Sequence, residues 1–211
     1  MIKAFTLISR RSGLDHAAFR AYWRDVHAGV VMSLMETRPL RYVQNHFDAP
    51  AGIYPAVPAT DGVAESWRAS IADLPKPLHE NPRWLEVVRP DELRFVDVAR
   101  TGNIVAEEAV AIDGPATRWK LLCFLADEEK PGWRNAVRHV VNTPLPGRQR
   151  MLDGTEPPLL FSSIEELWFA DRPALEDALA SMSGLPGRAS AVRVHEHVVH
   201  DRLAAPGGAV R

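Results

Sequence analysis

A short pattern that occurs once in each half of the chain constrains the fold more than any other feature of the sequence. The segments Val63-Ala64-Glu65-Ser66-Trp67 and Ile164-Glu165-Glu166-Leu167-Trp168 each carry an apolar residue, a glutamate and a tryptophan at alternate positions. Alternate residues of a β-strand project from the same face of a sheet. Two strands with matching faces in one chain predict a duplicated structural unit.

The order of elements in the first half indicates which unit is duplicated. Asp15 is suited to cap the first helix, because its carboxylate can accept hydrogen bonds from the first free backbone N–H groups. Three prolines and a glycine predict a long loop over residues 48–60. The order strand, helix, strand, strand, helix, strand is that of a ferredoxin-like split βαβ unit. The predicted elements are the strand Ile2 to Ser9, the helix His16 to Met35, the strands Arg41 to Phe47 and Val63 to Arg68, a helix restarting at Asn81-Pro82, and the strand Leu93 to Val98.

The second half repeats this order in a shorter form. A ferredoxin-like sheet has one face covered by its helices and leaves the other open, so two such sheets can cover each other. We therefore predict an α+β fold in which two ferredoxin-like (βαββαβ) modules in tandem form an intramolecular α/β barrel. The predicted elements are the strand Trp119 to Ala126, the helix Trp133 to Val141, the strands Gly147 to Leu152 and Ser163 to Phe169, the helix Pro173 to Met182 and the strand Ala191 to His200.

The length of the chain, 211 residues, is enough for two domains of ordinary size. We predict an N-terminal module over residues 1–100 and a linker or extra strand over residues 101–116. A C-terminal module is expected over residues 117–202, followed by a flexible tail over residues 203–211.

Composition excludes several classes of partner. The formal net charge is -2 and no basic block occurs, which argues against a nucleic-acid partner. No apolar run approaches the ~20 residues of a membrane helix, and the first residues do not read as a secretory signal. The single cysteine, Cys123, cannot form an internal disulfide and suits the cytoplasm. We expect a small-molecule substrate as the partner, with no membrane contact, and leave a homodimer open.

Four spaced segments of the first half carry a family resemblance. They are GLDHAAFRAYWRDVHAGVV (residues 13–31), RPLRYVQNHF (38–47), DGVAESW (61–67) and PDELRFVD (90–97). In this order they resemble the EthD family, which belongs to the dimeric α/β-barrel proteins. Its relatives include a protein required for alkyl ether breakdown beside a cytochrome P450, methylmuconolactone isomerases, polyketide cyclases and anthrone-type monooxygenases. The resemblance therefore implies a fold but no single reaction.

The second half matches the family less well. It retains Glu166 and Trp168 but has no counterpart of the Tyr-Trp-x-x-x-His motif of residues 22–27. The nearest segment is residues 137–143. We therefore expect the C-terminal half to act mainly as the structural partner of the first.

Three residues are candidate catalytic groups. His27 lies four residues after Trp23 on one side of the first helix, and an imidazole there can exchange protons near neutral pH. A core histidine bonded to the backbone is the alternative, and the resemblance favours function. Tyr42 is suited to donate a hydrogen bond to a developing oxyanion, unless it lies on an exposed edge. Glu65 is a candidate general base, since burial would raise its pKa, or a partner of Arg41 or Arg24 in an ion pair.

Five residues are candidate substrate contacts. Trp23 and Trp67 are expected to form aromatic pocket walls, although core packing would explain both. Gln44 and His46 share a strand face with the candidate oxyanion donor, and Asp25 is suited to orient an imidazole or an arginine.

A metal site is not expected. His195 and His197 share a strand face and are suited to bind zinc or iron, but spacing identifies no third ligand.

Three functions remain open at the level of the sequence. We favour a cofactor-independent enzyme that uses proton transfer, as an isomerase, dehydratase or other lyase, or cyclase, on an aromatic or carbonyl-containing metabolite. One alternative is a non-catalytic binding or accessory protein for an oxidative catabolic or polyketide pathway. The other is a cofactor-free or haem-dependent monooxygenase. The favoured function predicts that no cofactor is needed.

Overall fold

A closed antiparallel β-barrel forms the body of the protein, as a computed structural model shows. The structure describes residues 1–34, 38–53, 57–74, 76–126, 133–157, 160–182 and 189–203. Within these ranges eight strands close the barrel. They are β1 (Ile2–Ile8), β2 (Arg41–Ile53), β3 (Val57–Arg68), β4 (Gly102–Ile112), β5 (Trp119–Leu125), β6 (Ala136–Met151), β7 (Ser163–Phe169) and β8 (Ala189–Asp201). The prediction of an α+β barrel within one chain is confirmed.

The order of the strands around the barrel divides it into two arcs. The order is β1-β3-β2-β8-β5-β7-β6-β4, and β4 closes the ring on β1. The N-terminal half supplies the arc β4-β1-β3-β2, and the C-terminal half supplies the arc β8-β5-β7-β6. The arcs join where β2 pairs with β8 and where β4 pairs with β6. Each half therefore satisfies the open sheet edges of the other.

Helices cover the outer face of both arcs. The first helical run consists of α1 (His16–Tyr22), a π-helical turn (Trp23–His27) and α2 (Ala28–Met32). A second π-helical turn (Trp84–Val88) leads into α3 (Arg89–Phe95), and α4 (Arg172–Ser181) lies on the C-terminal arc. Asp15 Oδ1 accepts hydrogen bonds from the backbone N–H groups of Ala17 at 2.8 Å and Ala18 at 3.1 Å, so the predicted cap is confirmed. No helix in the described part is long and apolar enough to cross a membrane.

Apolar side chains from seven of the eight strands fill one end of the barrel interior. They come from alternate positions of the strands, as the two-residue period of a strand requires. Their burial removes apolar surface from water, at about 25 cal/mol per Å². The buried members of this cluster are Phe5, Leu7, Phe47, Val63, Ile104, Ala106, Leu122, Phe124, Phe161, Ile164 and Val194.

Four charged side chains meet in the rest of the barrel interior. Lys3, Glu65, Lys120 and Glu166 are each at most 1% exposed. Lys120 Nζ lies 2.9 Å from Glu65 Oε1 and 2.8 Å from Glu166 Oε2. Lys3 Nζ contacts Glu166 and lies 3.7 Å from Glu65 Oε2. We call these four residues the barrel ion cluster. Each half contributes one lysine and one glutamate.

Two amides also bond to this cluster. Asn45 Nδ2 donates to Glu65 Oε1 at 2.8 Å, and Asn142 Nδ2 donates to Glu166 Oε1 at 3.0 Å. Burial, together with the charge of Glu166, raises the pKa of Glu65 to about 7. Burial alone would lower the pKa of Lys120, but the surrounding glutamates raise it above its usual value. The lysines therefore stay charged, and Glu65 is the carboxyl that gains a proton most easily.

Several predicted elements are wrong. Residues 93–98 were expected to form a strand, but Arg89–Phe95 is helix α3, since Pro90 and two acidic residues fit a first helical turn. The fourth strand is β4, within the segment predicted as a linker or extra strand. Residues 133–141 were expected to form a helix, but β6 begins at Ala136 and continues to Met151.

The remaining differences concern the ends of elements. The predicted loop over residues 48–60 is shorter, because β2 runs to Ile53 and β3 begins at Val57. The first helical run ends at Met32, and its predicted end at Met35 lies outside the described residues. Most of the predicted tail, residues 204–211, also lies outside them.

Replacing a lysine of the barrel ion cluster tests how far the two halves depend on it. We expect Lys120→Met to lower the free energy of unfolding by about 3–5 kcal/mol, because the buried carboxylates Glu65 and Glu166 then share the positive charge of Lys3. The measurement is urea denaturation at neutral pH. Arg172→Met is the control, since Arg172 pairs with Glu176 on the surface and such pairs contribute at most about 1 kcal/mol. Equal losses in the two variants would contradict the assigned role of the cluster.

Candidate functional site

A cavity of about 370 Å³ lies between the N-terminal arc and its helical cover. Small side chains of the strands, Ala4, Ala64 and Ser66, form part of its floor. His27 and Val31 of the first helical run line the opposite wall. The cavity therefore uses the outer face of the sheet, because alternate residues such as Glu65 point into the barrel.

The C-terminal half also contributes to this cavity, through β6. Ile104 of β4 pairs with Gln149 and Ala106 pairs with Pro144, so residues 145–148 form a bulge opposite a single residue of β4. Gly147 in this bulge has a φ of 67°, which favours glycine. Gly147 to Leu152 line the cavity except Gln149, which points inward and is 9% exposed. The prediction that the C-terminal half is mainly a structural partner misses this contribution.

His27 is held by a carboxylate from α3. Its Nδ1 lies 2.7 Å from Asp91 Oδ2, and the Tyr22 hydroxyl donates to Asp91 Oδ1 at 2.5 Å. The hydrogen bond with His27 holds the pKa of Asp91 below its usual value. The Phe95 ring packs 4.7 Å from the imidazole, centroid to centroid. With Nδ1 engaged, Nε2 is the ring nitrogen that is available to a ligand in the cavity.

A π-helical turn positions His27. In the turn Trp23–His27 the Ala28 N–H donates to the Trp23 carbonyl, five residues earlier, and Gln44 Nε2 donates to the same carbonyl at 2.9 Å. The inserted residue rotates the side chains that follow, and such turns often occur at functional sites. Gly62 lets the Trp23 ring approach the sheet, because a Cβ there would lie 2.5 Å from that ring. Backbone and sheet together fix where the imidazole points.

A second acidic group, Glu92, also lines the cavity. It is 4% exposed, and burial raises its pKa. Trp84 Nε1 donates to its Oε1 at 3.1 Å, and Arg89 Nε lies 3.0 Å from its Oε2. Sequence reasoning missed both Asp91 and Glu92, because residues 93–98 were assigned to a strand. A proline followed by two acidic residues was the signal for the start of a helix.

Comparison with known families identifies the N-terminal half. The sequence model of the EthD domain matches residues 11–99, which contain His27, Tyr42 and Asp91. This chain carries an EthD domain. Comparison with curated proteins found no match.

Two solved structures resemble the whole chain at low similarity. A candidate monooxygenase from Lactobacillus acidophilus NCFM has a TM-score of 0.45 and 10% identity, covering 93% of this chain and 94% of its own. A candidate monooxygenase from Fusobacterium nucleatum has a TM-score of 0.44 and 7% identity, covering 93% of this chain and 92% of its own.

Three residues predicted on one strand of the EthD domain do share a face. Tyr42 lines the cavity, is 5% exposed, and burial raises its pKa. Gln44 and His46 lie further along β2 behind Trp23, whose ring centroid is 4.6 Å from that of His46. Gln44 and Trp23 are fully buried. These two residues and His46 support the wall of the cavity rather than line it.

The other predicted residues of the EthD domain lie elsewhere. Glu65 belongs to the barrel ion cluster, on the opposite face of the sheet from His27, and it pairs with lysines rather than with an arginine. Trp67 shares that inner face, and its Nε1 donates to Glu108 Oε2 at 2.8 Å. Asp25 is exposed and binds Arg24 at 2.7 Å, so it does not orient the imidazole. The carboxylate that orients the imidazole of His27 is Asp91.

One histidine of β8, His195, binds a carboxylate of β2. His195 Nε2 lies 2.8 Å from Asp48 Oδ1. Across the described ranges, no group of three or more histidine, cysteine, aspartate or glutamate side chains is arranged to hold a metal ion.

His46 gives the EthD domain a specific sensitivity to acid. Burial, and secondarily the charge of Arg20, lowers the pKa of His46 from 6.5 to about 3. Below pH 6.5 His46 binds a proton in the unfolded chain, whereas in the folded protein it binds one only near pH 3. The free energy of unfolding therefore falls as the pH falls. We expect His46 to lower the free energy of unfolding by about 2 kcal/mol between about pH 7.5 and 5. His46→Gln should remove this loss.

Urea denaturation at the two pH values measures this effect. His195→Gln is the control, because His195 is exposed and paired with Asp48. If His46→Gln lost as much stability in acid as the unmodified protein, the buried imidazole would not be the source.

Proposed function

We propose that this protein is a cofactor-independent enzyme that moves a proton on a carbonyl-containing or aromatic small molecule. The net reaction would be an isomerisation, a dehydration or other elimination, or a cyclisation. The observation that carries the proposal is the His27–Asp91 pair, at 2.7 Å, in the wall of a cavity large enough for a small metabolite. A histidine oriented by a carboxylate is a recurring arrangement for acid–base catalysis.

The imidazole would act through Nε2. Nδ1–H donates a hydrogen bond to the Asp91 carboxylate, so Nε2 carries a lone pair and can accept a proton from the carbon next to a carbonyl group. The electron pair of the broken C–H bond moves toward the carbonyl oxygen and forms an enolate. Asp91 stabilises the imidazolium ion that results. The imidazolium then returns the proton to another atom of the same molecule, which completes the transfer.

Two further groups are suited to stabilise the enolate. Tyr42 keeps its phenolic proton, because burial raises its pKa, and can donate it in a hydrogen bond to the oxygen. Burial also raises the pKa of Glu92, although the charge of Arg89 opposes this shift, so Glu92 is suited to serve as a second acid. Glu65 is not part of this proposal, since the sheet separates it from the cavity.

The cavity also supports the alternative of a non-catalytic binding protein. A ligand-binding accessory protein would need the cavity but not the proton chemistry of His27. The two functions therefore differ in what a substitution of His27 does.

We further propose that the two halves are tandem ferredoxin-like modules. Corresponding strands of the two halves pair through corresponding residues, which supports this proposal. Lys3 is opposite Trp67 between β1 and β3, and Lys120 is opposite Trp168 between β5 and β7. The strand order within each arc is likewise the same when each half is counted from its own first strand. Both features follow from one duplicated unit.

Exchange of hydrogen for deuterium tests proton transfer without knowledge of the net reaction. The protein is incubated in D₂O with a panel of enolisable aryl ketones, diketones and lactones, and NMR measures deuterium at the carbon next to the carbonyl. We expect catalysed exchange with at least one compound, and a loss of about 10²–10⁴-fold in His27→Ala. Asp91→Asn should lose activity as well, because the tautomer of His27 is then no longer fixed.

His195→Gln is a matched control, because His195 also pairs with an aspartate, at 2.8 Å, but does not line the cavity. The binding-protein alternative predicts that compounds bind while none exchanges, and that His27→Ala binds them equally well. That outcome would overturn the proposed function.

Tyr42→Phe separates oxyanion stabilisation from binding. The substitution removes one hydroxyl and keeps the ring that lines the cavity. We expect the exchange rate to fall about 10²-fold, while the affinity for the unreacted ketone changes by less than about threefold. Steady-state exchange and a binding titration measure the two quantities. A change in affinity alone would show that Tyr42 only binds the substrate.

A further inference from the structure

We propose that the cavity binds a substrate with a hydroxyl group about 10 Å from its reacting carbonyl group, and that Thr6 and Asn103 recognise this hydroxyl. The inference rests on the proposed function and narrows its substrate class. It follows from a hydrogen bond that joins two residues of the cavity floor, and from the position of these residues in the sheet relative to the acid–base groups.

Thr6 and Asn103 form a hydrogen-bonded pair on the floor of the cavity. They lie directly opposite each other on β1 and β4, and both line the cavity. Asn103 Nδ2 donates to Thr6 Oγ1 at 3.2 Å. Within the described part of the chain, no other hydrogen bond involves either side chain. The Thr6 hydroxyl therefore keeps its own hydrogen as a donor, and Asn103 Oδ1 remains as an acceptor.

A ligand group that both donates and accepts a hydrogen bond is complementary to this pair. A hydroxyl group does so with one oxygen, because it can accept from the Thr6 hydroxyl and donate to Asn103 Oδ1. The match holds for either orientation of the Asn103 amide. If the Thr6 hydroxyl donates to Oδ1 instead, Nδ2 becomes the free donor and a lone pair of Thr6 Oγ1 becomes the free acceptor.

Ionic groups fit the pair less well than a hydroxyl does. A carboxylate has no hydrogen to donate and would face the lone pairs of Asn103 Oδ1, whereas an ammonium group has no lone pair to accept the hydrogen of Thr6. The residue opposite Asn103 on β6 is Arg150, which is already paired with Glu156 at 3.1 Å. The pair therefore favours a neutral group of the ligand.

The register of the sheet determines how far this pair lies from the acid–base groups. Tyr42 on β2 is opposite Ser66 on β3, which is in turn opposite Ala4 on β1. Thr6 lies two residues further along β1 and therefore shares the face of Ala4. Two strand spacings, about 10 Å, separate β1 from β2. A ligand whose carbonyl oxygen meets Tyr42 thus reaches Thr6 with a group about 10 Å away.

The floor between these two ends is suited to an apolar skeleton. Ala64 is opposite Thr6, and the small side chains of Ala4 and Ala64 leave room above the sheet. A ring system on this surface would cover Thr6 and Asn103 and separate them from water. Polar groups that are covered without a partner cost free energy, so a substrate without the hydroxyl is disfavoured. The pair would act on substrate specificity and not on the proton transfer itself.

Four 4-acetylbiphenyls test the inference, since the biphenyl skeleton places its two outer para substituents at the required separation. Each carries the enolisable acetyl group at one end, and the other end carries a hydroxyl, a hydrogen, a methoxy or a carboxylate group. Titration calorimetry with the full-length protein measures their affinities. We expect the hydroxyl compound to bind at least about tenfold more tightly than the unsubstituted one, as two neutral hydrogen bonds allow. The methoxy compound cannot donate and the carboxylate repels Asn103 Oδ1, so both should bind more weakly than the hydroxyl compound.

Two substitutions remove the proposed contacts and keep the size of the side chains. Thr6→Val and Asn103→Leu should each lower the advantage of the hydroxyl compound about threefold or more, and the double variant should abolish it. The unsubstituted compound should bind these variants at least as tightly as before, because it no longer covers unpaired polar groups. This second measurement also shows that the cavity is intact.

Two further variants complete the experiment. Thr6→Ser keeps the hydroxyl and should retain the advantage of the hydroxyl compound. Thr117→Val is the matched control, because Thr117 is also partly buried and donates a hydrogen bond, to the Phe169 carbonyl, but does not line the cavity. Equal affinity of the hydroxyl compound and either the unsubstituted or the methoxy compound for the unmodified protein would overturn the inference. An advantage that survives in the double variant would overturn it as well.

The two proposals fail in different ways. If the acetyl protons exchange in D₂O in a manner that depends on His27, while all four biphenyls bind equally, the hydroxyl site is wrong and the proton chemistry stands. If the hydroxyl compound binds through Thr6 and Asn103 but no compound exchanges its protons, the hydroxyl site stands and the proton chemistry is wrong.

Discussion

Four charged side chains buried inside the barrel join the two halves of this protein. Glu65 and Lys3 come from the N-terminal half, and Glu166 and Lys120 from the C-terminal half. Each glutamate has a lysine of the other half as a partner, so neither arc of the barrel can separate without leaving buried charges unpaired. Such a cluster adds little net stability over an apolar core, but an arrangement of the strands that separated these four groups would leave buried charges unpaired. The register of the sheet, and everything built on its outer face, depends on it.

The two faces of the N-terminal arc have separate tasks. On β3, Glu65 points inward to the ion cluster, while Ala64 and Ser66 point outward to the cavity. The inner face fixes the position of the strands, and the small outward residues leave the space that a ligand needs. Helices and the β6 bulge then close that space, so the site contains groups from both halves although the EthD domain covers only residues 11–99.

Parts of the fold and the site could be predicted because their signals are local. The cap at Asp15 and the shared face of Tyr42 and His46 depend only on neighbours within a few residues. His27 was found through a motif and does line the cavity. The sequence did not reveal that Asp91 is the partner of His27, because Asp91 is near His27 only in space. Asp25 is near His27 in the sequence and was therefore chosen instead. Residues 93–98 were misread because Leu93 and Phe95 alternate as the apolar residues of a strand do, whereas in helix α3 Phe95 is buried and Leu93 lies on the exposed side.

The sequence by itself determined the duplicated strand pattern, the helix start at Asp15 and the alternation of Glu65 with the small residues Ala64 and Ser66 along one strand. These three features are local, because neighbouring residues determine the geometry of a single helix or strand. Tertiary structure alone decided which face of β3 meets the ion cluster, that Asp91 orients His27, and that a bulge of β6 brings Arg148 to the cavity. The physical reason is that each of these contacts joins segments far apart in the chain, and strand register and helix packing bring them together only when the barrel closes.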